Sequence, residues 1–241
     1  MLLGEAKTPD EMRLYAIGDV HGCDDLLAAL HDRIDQDLAL RPIEDHRIIH
    51  LGDYIDRGPN SAAVIERLVA LSAKDDRVLC LRGNHESMFL DFLGDPMEGG
   101  QPFLRNGGME TLASYGASLG RGFASMRDLI GLVYETLAIL PVEHRQFIAR
   151  LPASFRFGDF FFCHAGIRPG VPLDEQDTHD LTWIREPFLS SNADLGAVVI
   201  HGHTPVKTPD VRPNRINIDT GAVLGGPLTC IVLEGRDYRF L

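Results

Sequence analysis

Five apolar runs in this chain each end in residues of metal-binding type, and that recurrence constrains the fold more than any other feature. Leu14-Tyr15-Ala16-Ile17 leads into Gly18-Asp19-Val20-His21-Gly22. Ile48-Ile49-His50-Leu51 leads into Gly52-Asp53-Tyr54-Ile55-Asp56-Arg57-Gly58, and Val78-Leu79-Cys80-Leu81 reaches Gly83-Asn84-His85-Glu86. Phe160-Phe161-Phe162-Cys163 runs into His164-Ala165-Gly166, and Ala197-Val198-Val199-Ile200 into His201-Gly202-His203-Thr204. A short apolar run of this kind reads as a buried strand. In an open α/β sheet the groups just past the carboxyl ends of the strands line one crevice. Carboxylates, imidazoles and an amide oxygen meeting there describe a divalent-metal site.

Between the runs the period changes. Leu26, Leu27, Leu30, Ile34 and Leu38 fall at helical spacing, with Asp24 as the expected cap. Pro59-Asn60-Ser61 reads as the start of a second helix, with Val64, Ile65, Leu68, Val69 and Leu71 on its buried side. Residues 13–82 therefore read as β-α-β-α-β with parallel strands. A third helix is expected from about Glu86, burying Met88, Phe89 and Phe92. Residues 95–152 carry loop signals and helical stretches but no strand ending in a ligand block. They read as a helical cap inserted between two halves of the sheet, near the crevice. Strands return after 153, at Ile216–Gly221, Thr229–Leu233 and Tyr238–Leu241. The expectation is one α/β domain over 1–241 with the insertion at 95–152.

At 241 residues and 44% hydrophobic, such a domain can bury its core without disulfides. No CxxC pair occurs. Cys80, Cys163 and Cys230 sit in apolar runs and read as reduced core thiols, while Cys23 stands beside the first ligand block. The net charge of −12 argues against a basic face for duplex nucleic acid. No stretch is apolar enough to span a bilayer, and the start lacks a secretory pattern, so a cytoplasmic protein with no membrane partner is expected.

In this order, Gly-Asp-x-His-Gly, Gly-Asp-x-x-Asp-Arg-Gly, Gly-Asn-His-Glu, His-Ala-Gly and Gly-His-Thr resemble the phosphoprotein phosphatase branch of the calcineurin-like metallophosphoesterases. The likeness is greatest to bacterial and phage (lambda-type) serine/threonine phosphatases. It implies a two-sheet β-sandwich flanked by helices, with two divalent ions (Mn²⁺, with Fe or Zn²⁺ as options) at the strand ends. Carried over by position, Asp19 and His21 are implied ligands of the first ion and Asp53 the bridging carboxylate. Asn84, His164 and His203 are implied ligands of the second. Arg57, and by a softer match Arg185, resemble phosphate-binding arginines. His85 resembles a general acid oriented by Asp56.

The chemistry can also be argued from the residues. Two dications about 3.5–4 Å apart can hold both the attacking and leaving oxygens of an in-line displacement. Set against Asp19 and Asp53, they leave a positive site to which Arg57 adds a bidentate fork. His85 can protonate a leaving alkoxide, and Asp56 would fix its tautomer and raise its proton affinity. Direct attack by metal-bound hydroxide needs no Ser or Cys nucleophile.

Taken singly, each residue has a plainer explanation. A lone Asp or His after a strand is usually a turn residue. Asp56 could simply start a helix, and Glu86 reads first as a first-turn acid favoured by the helix dipole. His201 reads as structural or as a support for ligands, and His50 as a core histidine. His31, His46, His144 and His179 read as surface. In wider metallophosphoesterases the residue two places after the Gly-His histidine also binds metal; Pro205 stands there, so the first ion should have fewer protein ligands.

Two hydrolase readings compete. The first is a phosphatase for phosphate monoesters, on Ser/Thr phosphoproteins or small phosphoesters. The alternative is hydrolysis of dinucleoside polyphosphates, since symmetrical diadenosine tetraphosphatases share the Gly-Asp-Val-His-Gly-Cys opening. Asp56 and Glu86 favour the first, because those enzymes tend to lack the one and to carry Asp in place of the other. Arg105, Arg121, Arg127, Arg145 and Arg150 in the insertion keep the second open. A non-catalytic scaffold would predict a broken ligand set, and this set is intact.

Overall fold

The computed structural model describes residues 1–117 and 126–241. The first half alternates as read: β1 Met12–Ile17, α1 Asp24–Leu40, β2 Asp45–His50, α2 Ser61–Lys74, β3 Val78–Cys80. Helices α3 Asn84–Gly94, α4 Pro96–Phe103, α5 Met109–Ser114, α6 Met126–Ile139 and α7 Val142–Arg150 follow. Then come β4 Ser154–Phe157, β5 Phe160–Cys163, α8 Thr178–Trp183, β6 Val198–His201, β7 Asp210–Val211, β8 Arg215–Asn217, β9 Cys230–Glu234 and β10 Asp237–Phe240. The described strands form two sheets, ordered β10-β9-β1-β2-β3 and β4-β5-β6-β8-β7. β1, β2 and β3 are parallel in one, and β5, β6 and β8 are parallel in the other.

Strand alternation builds this sandwich. Leu14, Ala16 and Ile49 of the first sheet share a buried cluster with Phe160, Phe162, Val198, Ile200 and Ile216 of the second. Tyr15 and Ile17, one residue out of phase, point the other way, onto Leu27, Leu30 and Ile34 of α1 and Val64, Ile65 and Leu68 of α2. Phe161, Cys163 and Val199 do the same on the far side, against Leu181, Ile184 and Phe188. Both faces of these strands are covered, which is why they read as unbroken apolar runs. With each large side chain contributing about 1.5–3 kcal/mol on burial, the strand ends are held on a stiff base.

Local details differ from the sequence expectation. Asp24 does not cap α1; its carboxylate makes a bidentate ion pair with Arg67 of α2, at 2.7 and 2.8 Å. Helix α3 begins at Asn84, two residues early, so the third ligand block lies in its first turn. The stretch beyond Ile216 leaves strand geometry after Asn217. His144 is buried between Tyr115 and Glu66, and half-buried His31 hydrogen-bonds His50; neither is the surface residue expected. Arg121 lies outside the described residues. Among the described residues, no helix is long and apolar enough to cross a membrane.

Candidate metal centre

The parallel strands of both sheets deliver their terminal loops to one place, and all the residues implied as ligands are buried there. Asp19, His21, Asp53, Asn84, His164 and His203 are each 7% exposed or less. Backbone bonds tie the first two loops together: the Asp53 carbonyl accepts from the Val20 and His21 amides, at 3.0 and 2.8 Å. The approach is close enough to exclude side chains. A Cβ on Gly83 would lie 2.1 Å from Asp53 Oδ1, and one on Gly202 2.1 Å from Asp19 Oδ1. Those two glycines let the third and fifth blocks reach the carboxylates.

Backbone geometry marks the same residues. Six non-glycine residues have positive φ among those described, and five of them are His21, Asp53, Asp56, Arg57 and His203. Such conformations are disfavoured for side chains with a Cβ and cluster where a site imposes them.

Two donor sets share Asp53. One is Asp53 with His164 and His203, to which Asn84 belongs. His164 Nε2 lies 3.3 Å from Asp53 Oδ1 and 2.9 Å from Asn84 Oδ1, and His203 Nδ1 lies 2.8 Å from that same oxygen. The His164 Nδ1–H donates to the Leu51 carbonyl at 3.0 Å, leaving the Nε2 lone pair to face the crevice. Donors that surround one ion at about 2.0–2.2 Å necessarily crowd one another to about 3 Å. The second set gathers on Asp53 Oδ2, with His21 Nε2 at 3.5 Å and His85 Nε2 at 3.8 Å. The His21 Nδ1–H donates to the Ile55 carbonyl at 2.7 Å, the usual support for a metal-ligating imidazole. Asp19 stands beside both sets, its oxygens accepting from the His203 amide at 3.1 and 3.3 Å.

The electrostatics call for positive charge. Burial alone would lower the His164 pKa, yet the Asp53 and Asp19 carboxylates outweigh it and raise it to about 10. Burial, then the charge of Asp219, pushes Asp19 well above the usual carboxylate range. His21 and His203, lowered to about 3 chiefly by burial, are neutral imidazoles ready to bind a cation. A divalent ion at each set fits these donors, and the buried, unpartnered Nε2 of His85 points to the same crevice.

His85 Nδ1 lies 2.6 Å from Asp56 Oδ2. Asp56 is itself fixed from the helical segment: Thr111 of α5 accepts from its amide at 2.8 Å and donates to its Oδ1 at 2.6 Å. Arg57 is exposed, donates its backbone amide to the Gly107 carbonyl, and has Nη1 2.9 Å from His21 Nε2. Arg185 is exposed on the chain after α8, and its charge reaches His203, with Trp183 edge-on to the same imidazole. His201 packs against Phe188 and takes no place in either donor set.

Residues 12–226 match the family described as calcineurin-like phosphoesterase. The chain belongs to that family. The expected two-sheet metallophosphoesterase fold is therefore borne out, as is the resemblance at the level of the family. Among similar proteins is a bis(5'-nucleosyl)-tetraphosphatase PrpE (asymmetrical) of Bacillus cereus, 30% identical, covering 90% of this chain and 89% of that one. A solved structure of a candidate diadenosine tetraphosphatase superposes with a TM-score of 0.67 at 20% identity, covering 98% and 97% of the two chains. A cold-active protein tyrosine phosphatase gives 0.62 at 16% identity, over 98% and 81%. Calcineurin-like phosphoesterases use a divalent metal centre, and the two donor sets are where this chain could hold one.

Sequence reading missed two supports. Glu86 is no ordinary first-turn acid: fully buried, it accepts from the amides of Asp53, Tyr54 and Gly83 at 2.8–2.9 Å. It thus clamps the second block to the third. The capping pattern around Gly83 was the available signal; the reach across to Asp53 was not legible. Glu86→Gln should turn one acceptor oxygen into a donor facing an amide, lowering stability by about 1–3 kcal/mol. An unchanged denaturant midpoint would refute the clamp. Thr111, the second, carried no signal at all, because its partner lies 55 residues away.

Proposed function

We propose that this phosphoesterase hydrolyses dinucleoside polyphosphates, cutting diadenosine tetraphosphate asymmetrically. The observation that carries the substrate class is the relative named for that activity, aligned over nine-tenths of both chains. The asymmetrical cut departs from the symmetrical one expected of this alternative, and it follows that relative's name. The donor set of carboxylate, imidazole and amide oxygen suits a borderline ion such as Mn²⁺. Two such ions would polarise the phosphoryl oxygens and make water nucleophilic near neutral pH.

The chain's own residues would do the rest. Arg57, exposed with its guanidinium beside His21, would bind and orient the phosphate reached by the nucleophile. Arg185, exposed and with its charge reaching His203, would meet the next phosphate. His85 holds its proton on Nε2, facing the crevice, while Asp56 accepts from Nδ1. Burial would lower the His85 pKa, but Asp53 and the Asp56 hydrogen bond outweigh it and raise it. That shift favours the protonated form of His85, the form a leaving oxygen would need.

A phosphomonoesterase acting on phosphoproteins is the second reading, and the Asp56–His85 contact favours it. A positioned, buried general acid matters most when the leaving group is a poor alkoxide. A polyphosphate leaves as a stabilised anion and gains less from it. The deciding measurement is kcat/KM for diadenosine tetraphosphate and for a phosphoserine or phosphotyrosine peptide, in Mn²⁺ at one ionic strength. The dinucleotide should be preferred at least about tenfold, a difference of about 1.4 kcal/mol. Its products should be ATP and AMP. Preference for the peptide would promote the second reading, and two ADP would overturn the asymmetrical cut.

A further inference from the structure

A sixth strand end reaches the crevice. Directly after β8 the chain turns through Ile218 into Asp219, a carboxylate only 3% exposed that neither donor set includes. Gly202 is wedged between it and Asp19: a Cβ there would sit 2.1 Å from Asp19 Oδ1 and 3.6 Å from Asp219 Cβ. The two buried carboxylates therefore stand on either side of one glycine. Among the described residues, neither forms an ion pair. Asp19 accepts from the His203 amide, and Asp219 Oδ1 from the Gly221 amide at 3.1 Å. Those bonds satisfy acceptors but supply no full positive charge. Two like charges buried side by side are costly, and such groups are retained where a cation offsets them.

The two proposed ion positions are also unequal. The one around His164 and His203 has Asp53 and Asn84 as well, four side-chain donors in all. The one around His21 has Asp53 and, by the resemblance, Asp19, since the mechanism keeps His85 for the proton. Asp219 faces Asp19 across Gly202. We infer that Asp219 is a positioning residue for the ion held by Asp19, supplying charge and an acceptor for water in that ion's shell. The inference rests on the two-ion reading of the site. Asp219 enters neither donor set itself, so its effect passes through Asp19 and should be greatest at the ion Asp19 holds.

Asp219→Asn isolates the charge, since the amide oxygen can still accept from Gly221. The experiment is Mn²⁺ titration of the metal-stripped full chain, followed by calorimetry and by electron paramagnetic resonance. The wild type should bind two ions. In Asp219→Asn one of them should weaken by about 10–100-fold, the usual consequence of removing an outer partner of a metal ligand, while the other stays within a few-fold. The metal-free variant should melt at higher temperature than metal-free wild type, because a buried like-charge contact is gone, and should gain less on adding Mn²⁺. Asp219→Glu keeps the charge one methylene away and should show the same selective loss in smaller measure; it carries the test if Asp219→Asn does not fold. Wild-type affinity at both positions, or equal weakening of both, would overturn the inference. A wild type that binds no Mn²⁺ would instead sink the two-ion reading beneath it.

Discussion

Asp53→Asn should strip the protein of both divalent ions and lower kcat by about 10³-fold or more, the scale of removing a principal electrostatic stabiliser from a buried site. Among the described residues, no other side chain belongs to both donor sets: Oδ1 faces His164 and Oδ2 faces His21 and His85. Asparagine is the informative replacement because it keeps the size and tolerates the left-handed backbone at this position, where φ is 53°. Asn Oδ1 can also still accept from the His85 amide, which Asp53 now holds at 3.1 Å. The fold should survive and the charge alone should go. Elemental analysis beside a turnover assay reads the outcome. A variant with two bound ions and a tenth of the wild-type rate would refute the bridging role.

His85→Asn should lower kcat by about 10²–10⁴ with both ions retained. The test is needed because the His85 Nε2 is as well placed geometrically for an ion as for a substrate proton; it groups with His21 and Asp53. A carboxylate behind the imidazole, here Asp56, accompanies both roles. Leaving groups separate them. An acid matters for alkyl phosphates and little for aryl phosphates, so the loss should shrink with an aryl ester. A ligand would hurt both alike and would cost metal. Asp56→Asn should follow more weakly. Because the Asp56 bond helps raise the His85 pKa, its loss lowers that pKa, and activity should fail at lower pH on the alkaline side. An unmoved alkaline limb would assign His85 another task.

Much of this was legible because strand and ligand are adjacent in sequence. Five apolar runs became β1, β2, β3, β5 and β6, each with its block at the carboxyl end. What could not be read was which sheet each run joins. Phe160–Cys163 and Val198–His201 look like the earlier runs, yet they pair in a separate sheet stacked on the first. Alternation tells inside from outside only when one face is polar, and here both are buried. Asp219 escaped notice for a different reason. Its strand, β8, is three residues long, so no apolar run announces the carboxylate that follows. His144 reads as surface because polar neighbours surround it in sequence, while its partners Tyr115 and Glu66 come from the turn after α5 and from α2 respectively.

The hold that the helical segment keeps on the acid bears on how this scaffold could be re-engineered. A natural plan for changing substrate range would exchange the stretch between β3 and β4 for that of a relative, leaving the strand ends alone. That stretch is not a detachable module. Thr111 fastens Asp56 at two atoms, and the Gly107 carbonyl fastens Arg57, in a turn where a Cβ on Gly107 would fall 2.6 Å from the Arg57 nitrogen. A graft that crosses those residues would loosen the proton donor's partner and the phosphate-binding arginine together. Selectivity and rate would then fall in step, even with every strand-end ligand in place. A chimera should therefore keep residues 104–111 from the parent and swap only what lies beyond them.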